Sequence, residues 1–289
     1  YDGKVAWASA MIYDFVAFVP QGLVGEYMNR HRRTDMATVG ICFIALAIPI
    51  VTRRIYLIHI LGLVILCIGN ACIHEAGAVA TVTVSKGKLL HSAIFVGGGS
   101  FGVVIGQALG RFSFSLYWLY GILIVMELLS LLVRNKWVGD GISYPLFCVT
   151  GKRTGFYAVL LTAFFITAVR SYIGYVIPID WKKEQWHSFV LFFAMGSAKA
   201  LGGYLADAFG VRRIGVLSTL FCIPFLIMGR ENMLLSVTGV FLFSLTMSIT
   251  FAMALSAIIN NPGLAFGVTT VGLFAGVMIP YTFGRPNGT

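Results

Sequence analysis

The chain reads as an all-α membrane protein of about ten transmembrane helices arranged as two bundles. Three observations predict this class. Of 289 residues, 58% are hydrophobic and only 11% are charged, with a mean hydropathy of +0.88, whereas a soluble domain carries about 25% charged residues. The apolar residues form runs close to the ~20 residues that cross a hydrocarbon layer of ~30 Å. A compact polar motif near one end, "GGYLADAFGVRRIG", has a weaker copy, "GLVGEYMNRHRR", 181 residues earlier.

Ten apolar runs follow in order: 4–24, 36–52, 55–84, 88–110, 114–133, 154–177, 187–209, 213–229, 233–259 and 263–283. The second is short and the third long. Open strands would leave backbone groups unpaired in lipid, so each run is expected to be helical. No soluble domain fits between them. The longest polar connection, residues 134–153, divides the chain near its middle. This gives an N-terminal bundle over 1–135, a central cytoplasmic loop over 136–153 and a C-terminal bundle over 154–289.

Basic residues sort onto two sides of these runs. Arg30, Arg32, Arg33, Lys86, Lys88, Arg134, Lys136, Lys152, Arg153, Arg212 and Arg213 fall on one side. Lys4, Arg53, Arg54, Arg111, Lys182, Lys183, Arg230 and Arg285 fall on the other. The side richer in Lys and Arg is expected to be cytoplasmic. The net charge of +10 then belongs to loops facing anionic lipid and not to a nucleic-acid surface.

Five Cys (Cys42, Cys67, Cys72, Cys148, Cys222) sit mostly within apolar runs without a CxxC pair. They read as small buried residues. His74-Glu75 lacks the second His, four residues on, of a zinc-protease motif, since position 78 is Ala. No metal and no cofactor are expected. His59, His91 and His187, with Trp118, Trp181 and Trp186, lie near helix ends and read as interfacial residues.

In the repeat, Gly203 aligns with Gly22, Asp207 with Glu26, Gly210 with Asn29, and Arg212 and Arg213 with His31 and Arg32. Acid stays acid, and Gly is replaced by Asn, the other residue that tolerates a left-handed turn. Gly203, Leu205, Ala206, Asp207, Gly210, Arg212 and Arg213 resemble the helix 2–3 loop motif of the major facilitator superfamily, G-x-L-A-D-x-x-G-R-[KR], and its echo between helices 8 and 9. The stretches "YDFVAF", "GNACIHEAG", "RSYIG", "AKALGG" and "NPGLAFGVTT" resemble a bacterial branch loosely similar to fosmidomycin-resistance-type exporters.

The resemblance implies a secondary transporter of two like-oriented bundles, in the bacterial inner membrane and monomeric. It places the chain at family helices 2–11. With Tyr at position 1, a truncated sequence is expected. It also implies that Gly22, Glu26, Arg32, Gly203, Asp207, Gly210, Arg212 and Arg213 form gating loops that latch the halves in one state.

Ionisable residues within membrane helices cost at least ~2.5–3.5 kcal/mol each and so mark function or pairing. Asp14 and Gln21 share a helical face at i, i+7. Asn70, His74, Gly77 and Thr81 form a second stripe with Glu75 adjoining, and Thr167, Arg170, Ser171 and Gly174 a third. Lys199 shares a face with Gly196, Gly202 and Gly203. These residues are expected to line a wet cavity between the halves. Asp14 and Glu75 are the candidate proton carriers, and Arg170 and Lys199 the candidate contacts to substrate or counter-ion.

Gly98, Gly102, Gly106 and Gly110 recur every fourth residue and are expected to be a close-packing face. They resemble the glycine signature of family antiporters, with Gln107 where those carry Pro. The function expected is movement of a small solute with H+ by alternating access. An intramembrane enzyme acting on lipid, or a transport-inactive sensor of the same fold, is the alternative.

Overall fold

The computed structural model describes residues 3–53, 55–111, 115–145 and 155–284. Arg54, Cys148, Lys152, Arg153, Arg285 and most of the second half of the expected central loop lie outside them, and the Lys4 side chain is likewise not described.

Among the described residues the chain is helical, without strands. The first half contains α1 (Gly3–Phe18), α2 (Gln21–Arg30), α3 (Met36–Val51), α4 (Tyr56–Val84), α5 (Leu90–Arg111) and α6 (Leu116–Val133), closed by a short 3₁₀ turn at Arg134–Lys136. The second half contains α7 (Phe156–Val176), α8 (Gln185–Phe209), α9 (Val211–Met228), α10 (Met233–Ser244), α11 (Met247–Ala257) and α12 (Pro262–Phe283). Nine segments of the described residues are long and apolar enough to cross a membrane, and α3 is a shorter apolar helix. The protein is an integral, multi-pass membrane protein.

Two spans are broken, which the apolar pattern did not predict. The expected span 4–24 runs on to Arg30, and Pro20, which has no N–H to donate, separates α1 from α2. The expected span 233–259 divides at Leu245 and Thr246. The carbonyl of Leu245 there lies against Gly202 of α8, where a side chain would not fit.

The loops gather at two ends as the basic residues sorted them. At one end Arg33 pairs with Asp140. Arg134 pairs with Asp35 at 3.2 Å, and Arg32 donates to the Ile142 carbonyl at 2.7 Å. At the other end Arg230 pairs with Asp180 at 2.6 Å, and Arg111 donates to Gln185 at 2.7 Å. The Glu184 carboxylate and His187 cap the start of α8 reciprocally, so His187 is a capping residue.

The halves meet along two seams, α2 against α12 and α5 against α8, with α1 and α4 also touching α12. The largest buried cluster joins both halves near the repeated motif, through Ala78, Val82 and Leu89 of the first half and Ala206, Phe251 and Phe266 of the second.

Candidate gating seams and transport pathway

The two repeat motifs are helical almost throughout. Gly202–Phe209 finishes α8, and Gly210 alone turns the chain before Val211 opens α9. Its φ of +92° is open to Gly and strained for other residues. In the first copy α2 continues through Asn29 to Arg30. The only non-Gly residue at positive φ among those described is Lys86. Asn29 therefore does not take the left-handed turn expected of it. Its amide and carbonyl oxygens accept instead from Arg32.

Both motif acids bind the start of a helix in the opposite half. Asp207 accepts from the Leu89 amide at 2.8 Å and the Leu90 amide at 3.0 Å. These N–H groups open α5 and have no partner within the helix. Glu26 accepts from the Asn261 side chain at 2.6 Å. Asn261 in turn caps α12 through the Leu264 amide at 3.0 Å, and Pro262 follows at the first helical position. A carboxylate thus sits at a positive helix end on each seam. Glu26 also holds Arg30 at 2.7 Å. Arg212 and Arg213 are exposed.

Glycines let these seams close. A Cβ on Gly25 would lie 2.7 Å from Gly263 Cα, and one on Gly267 would overlap the Gly22 backbone. On the other seam, a Cβ on Gly97 would lie 2.7 Å from the Gly196 carbonyl, and one on Gly203 would overlap the Ala93 side chain. Among the described residues the stripe Gly98, Gly102, Gly106 and Gly110 is not a packing face, because a Cβ at each would meet nothing within 4 Å. The seam uses Gly97, one residue away and so turned by about 100° around the helix.

The membrane-depth residues fall into three groups. Asp14 is half-buried on α1, and its charge reaches Cys67 of α4 and Tyr281 of α12. Gln21 is fully buried and donates to the Ala17 carbonyl at 2.7 Å. The break at Pro20 interrupts the register that was to place it beside Asp14.

On α4, His74 meets the Phe95 ring of α5 edge-on at 6.0 Å. Thr81 lies 3.5 Å from Ser92 of the same helix. That stripe therefore faces α5, with Asn70 half-buried higher on the same helix. Glu75 points elsewhere, toward Gly263 of α12. It is fully buried, and neither carboxyl oxygen has a hydrogen-bond partner.

The bases form the third group. Arg170 lies over the Phe243 ring at 4.5 Å, with Nε buried and unbonded. It lines an apolar cavity of about 1310 Å³ with Val169, Thr219, Phe243 and Thr250, which runs to Asp207, Arg212 and Arg213. Lys199 donates to Ser100 across the α5–α8 seam at 2.7 Å and is close enough to Arg170 for their charges to repel. No ion pair among the described residues joins Arg170 or Lys199 to Asp14 or Glu75. No group of His, Cys, Asp and Glu among the described residues is set to hold a metal ion.

Asn261, Ser100 and the Leu89–Leu90 amides escaped sequence reading. Asn261-Pro262 is a helix-start signal and could have revealed the cap, but nothing local ties it to Glu26.

No family model matches the chain, and no curated protein matches it. Several solved structures resemble it, among them two transporters. The human organic anion transporter MFSD10 (TETRAN) superposes with a TM-score of 0.63 at 13% identity, covering 97% of this chain and 79% of its own. FucP, a major facilitator superfamily transporter in the outward conformation, superposes with a TM-score of 0.60 at 14% identity, covering 96% of this chain and 82% of its own. This chain has the major facilitator superfamily fold.

Proposed function

We propose that this chain, with the fold of that transporter superfamily, is a secondary active transporter that moves a small solute by alternating access, coupled to protons. The observation that carries the reading is the matched pair of latches. Glu26 and Asp207 occupy equivalent places in the two repeats, and each binds a helix start in the opposite half. Interfaces closed by a few polar contacts and glycine packing can open as units. Two such seams at one end of the molecule suit halves that rock.

The cargo we propose is an organic anion. Arg170 and Lys199 are interior cations whose charges repel, with no acid joined to them among the described residues. An arriving anion would supply the missing counter-charge. MFSD10, of like fold, is an organic anion transporter. Asp14 and Glu75 would carry the protons. The gating role goes to Gly22, Glu26, Arg32, Gly203, Asp207, Gly210, Arg212 and Arg213.

The test is uptake into proteoliposomes of isotope-labelled aryl sulfonates and carboxylates, beside their neutral amides, with and without an uncoupler. Sulfonates do not cross lipid as neutral acids, so their flux reports the protein. At least one anion and no amide should accumulate under an inward proton gradient. The uncoupler should abolish accumulation, and Arg170→Ala should reduce it about tenfold or more. Accumulation of amides alone, or unchanged anion flux in Arg170→Ala, would refute the assignment.

A further inference from the structure

Glu75 lies inside the 29-residue α4 span Tyr56–Val84, behind the α2–α12 seam. It is fully buried, and both carboxyl oxygens lack a partner. A Cβ on Gly263 would lie 2.9 Å from its Oε2 and 2.5 Å from Gly25 Cα. The carboxyl group therefore backs the point where α2 and α12 come closest. Glu26, next to Gly25 in α2, accepts from Asn261, two residues before Gly263. Among the described residues the closed seam offers Glu75 no cation and no hydrogen-bond donor, and its side chain is fully buried.

We infer that Glu75 is a proton-operated wedge behind the α2–α12 seam: neutral, it fits the closed seam, and ionised, it forces the seam open to water. A buried carboxylate without partners costs several kcal/mol, comparable with what a few contacts at a helix crossing supply. Parting of α2 and α12 admits water, which takes the proton as hydronium, and the carboxylate left behind holds the seam open because reclosure would bury it unhydrated. Return of a proton from water restores the neutral acid and the closed contact.

The groups around it do not offer a second explanation. On α4 itself the neighbouring ionisable residues are Cys72 and His74, and His74 faces Phe95 of α5. Packed on α4, α2 presents Glu26, already held by Arg30 and Asn261. The facing part of α12 (Pro262, Gly263, Phe266, Gly267) has no ionisable side chain. From α5 comes His91, with α3 contributing only exposed Cys42 and α1 contributing Tyr13 and Asp14, both near Cys67, which lies about two turns along α4 from Glu75. Arg134 of the 3₁₀ turn pairs with Asp35.

The inference rests on the transporter reading but can be tested apart from it. The full chain is placed in lipid nanodiscs with spin labels at His31→Cys and Asn260→Cys, on either side of the seam. Cys42→Ser removes an exposed cysteine and Cys148→Ser the one outside the described residues, while Cys67, Cys72 and Cys222 are buried. Label distances are read from acidic to alkaline pH. The native residue should give one short distance in acid and a growing long component in alkali. Glu75→Gln should hold the short distance throughout, lowering the alkaline open-to-closed ratio about tenfold or more.

A single distance at every pH, or a pH response that survives Glu75→Gln, overturns the inference. Should Glu75→Gln fail to fold, Glu75→Asp decides. It keeps the proton and withdraws the carboxyl by one methylene, so the midpoint must move, and an unmoved midpoint overturns the inference. A seam that answers to pH through Glu75 without any flux would sink the transport reading alone. Flux through a pH-blind seam would sink this inference alone.

Discussion

Gly25→Ala tests the seam most directly. The added Cβ would overlap the Gly263 carbonyl carbon and lie 2.7 Å from both Gly263 Cα and the Leu264 amide nitrogen. Carbon atoms rest at about 3.5–4.0 Å, so α2 and α12 must separate by more than about 1 Å. Neither neighbour is a side chain that can swing away. The same separation stretches the 2.6 Å bond from Asn261 to Glu26. Overpacking costs about 1–3 kcal/mol, and a weakened hydrogen bond adds about 1 kcal/mol. Replacing Gly by Ala in a helix returns about 1 kcal/mol. The closed seam should lose about 1–3 kcal/mol, a shift of roughly five- to 150-fold toward the open form. The label pair across the seam reads that shift. Gly102→Ala is the control, because its Cβ would meet nothing within 4 Å, and it should leave the distance unchanged. Native closure in Gly25→Ala together with disruption by Gly102→Ala would show that the packing face is the other one.

Two further outcomes follow from the caps. Asp207→Asn keeps one acceptor oxygen but loses the charge at the start of α5. It should weaken the α5–α8 seam by about 1–2 kcal/mol, the low part of the range for charged hydrogen bonds because Asp207 is exposed, and labels across that seam should spread. Asp35 caps α3 through the Ala37 and Thr38 amides and pairs with Arg134. Asp35→Ala should lower the melting temperature in detergent, at a cost of about 1–2 kcal/mol for the lost cap, without altering ion-coupled flux.

The membrane class and most spans are legible in the sequence because the bilayer imposes one rule on every residue. Leu, Ile and Phe in runs near twenty can only be helices in lipid. The breaks at Pro20 and at Leu245–Thr246 are less legible, since a membrane helix tolerates Pro when neighbours satisfy the freed groups. Leu245 needs a glycine on another helix, Gly202, before its break makes sense. Spacing alone also picked the wrong glycines. A four-residue repeat defines a face but not its direction, and Gly97, outside the repeat, is the residue that meets the other half.

The paired acids show where local reading ends and long-range geometry begins. The repeat matched Glu26 to Asp207, but their partners do not repeat in kind. Asp207 takes two backbone amides directly, whereas Glu26 reaches a helix start only through Asn261, whose side chain is itself the cap. Both arrangements place negative charge at a positive helix end, so the electrostatic logic survives a change of chemistry. The strengths should nonetheless differ. An amide donor borrowed from a side chain can rotate away, and Glu26 is also held by Arg30 within its own helix, so part of its charge is already satisfied when the seam opens. Of the two proposed latches the α2–α12 seam should therefore be the weaker, and it is the one behind which Glu75 is buried. A seam held loosely in front of an unpartnered acid is where the smallest change in protonation has the largest effect on closure.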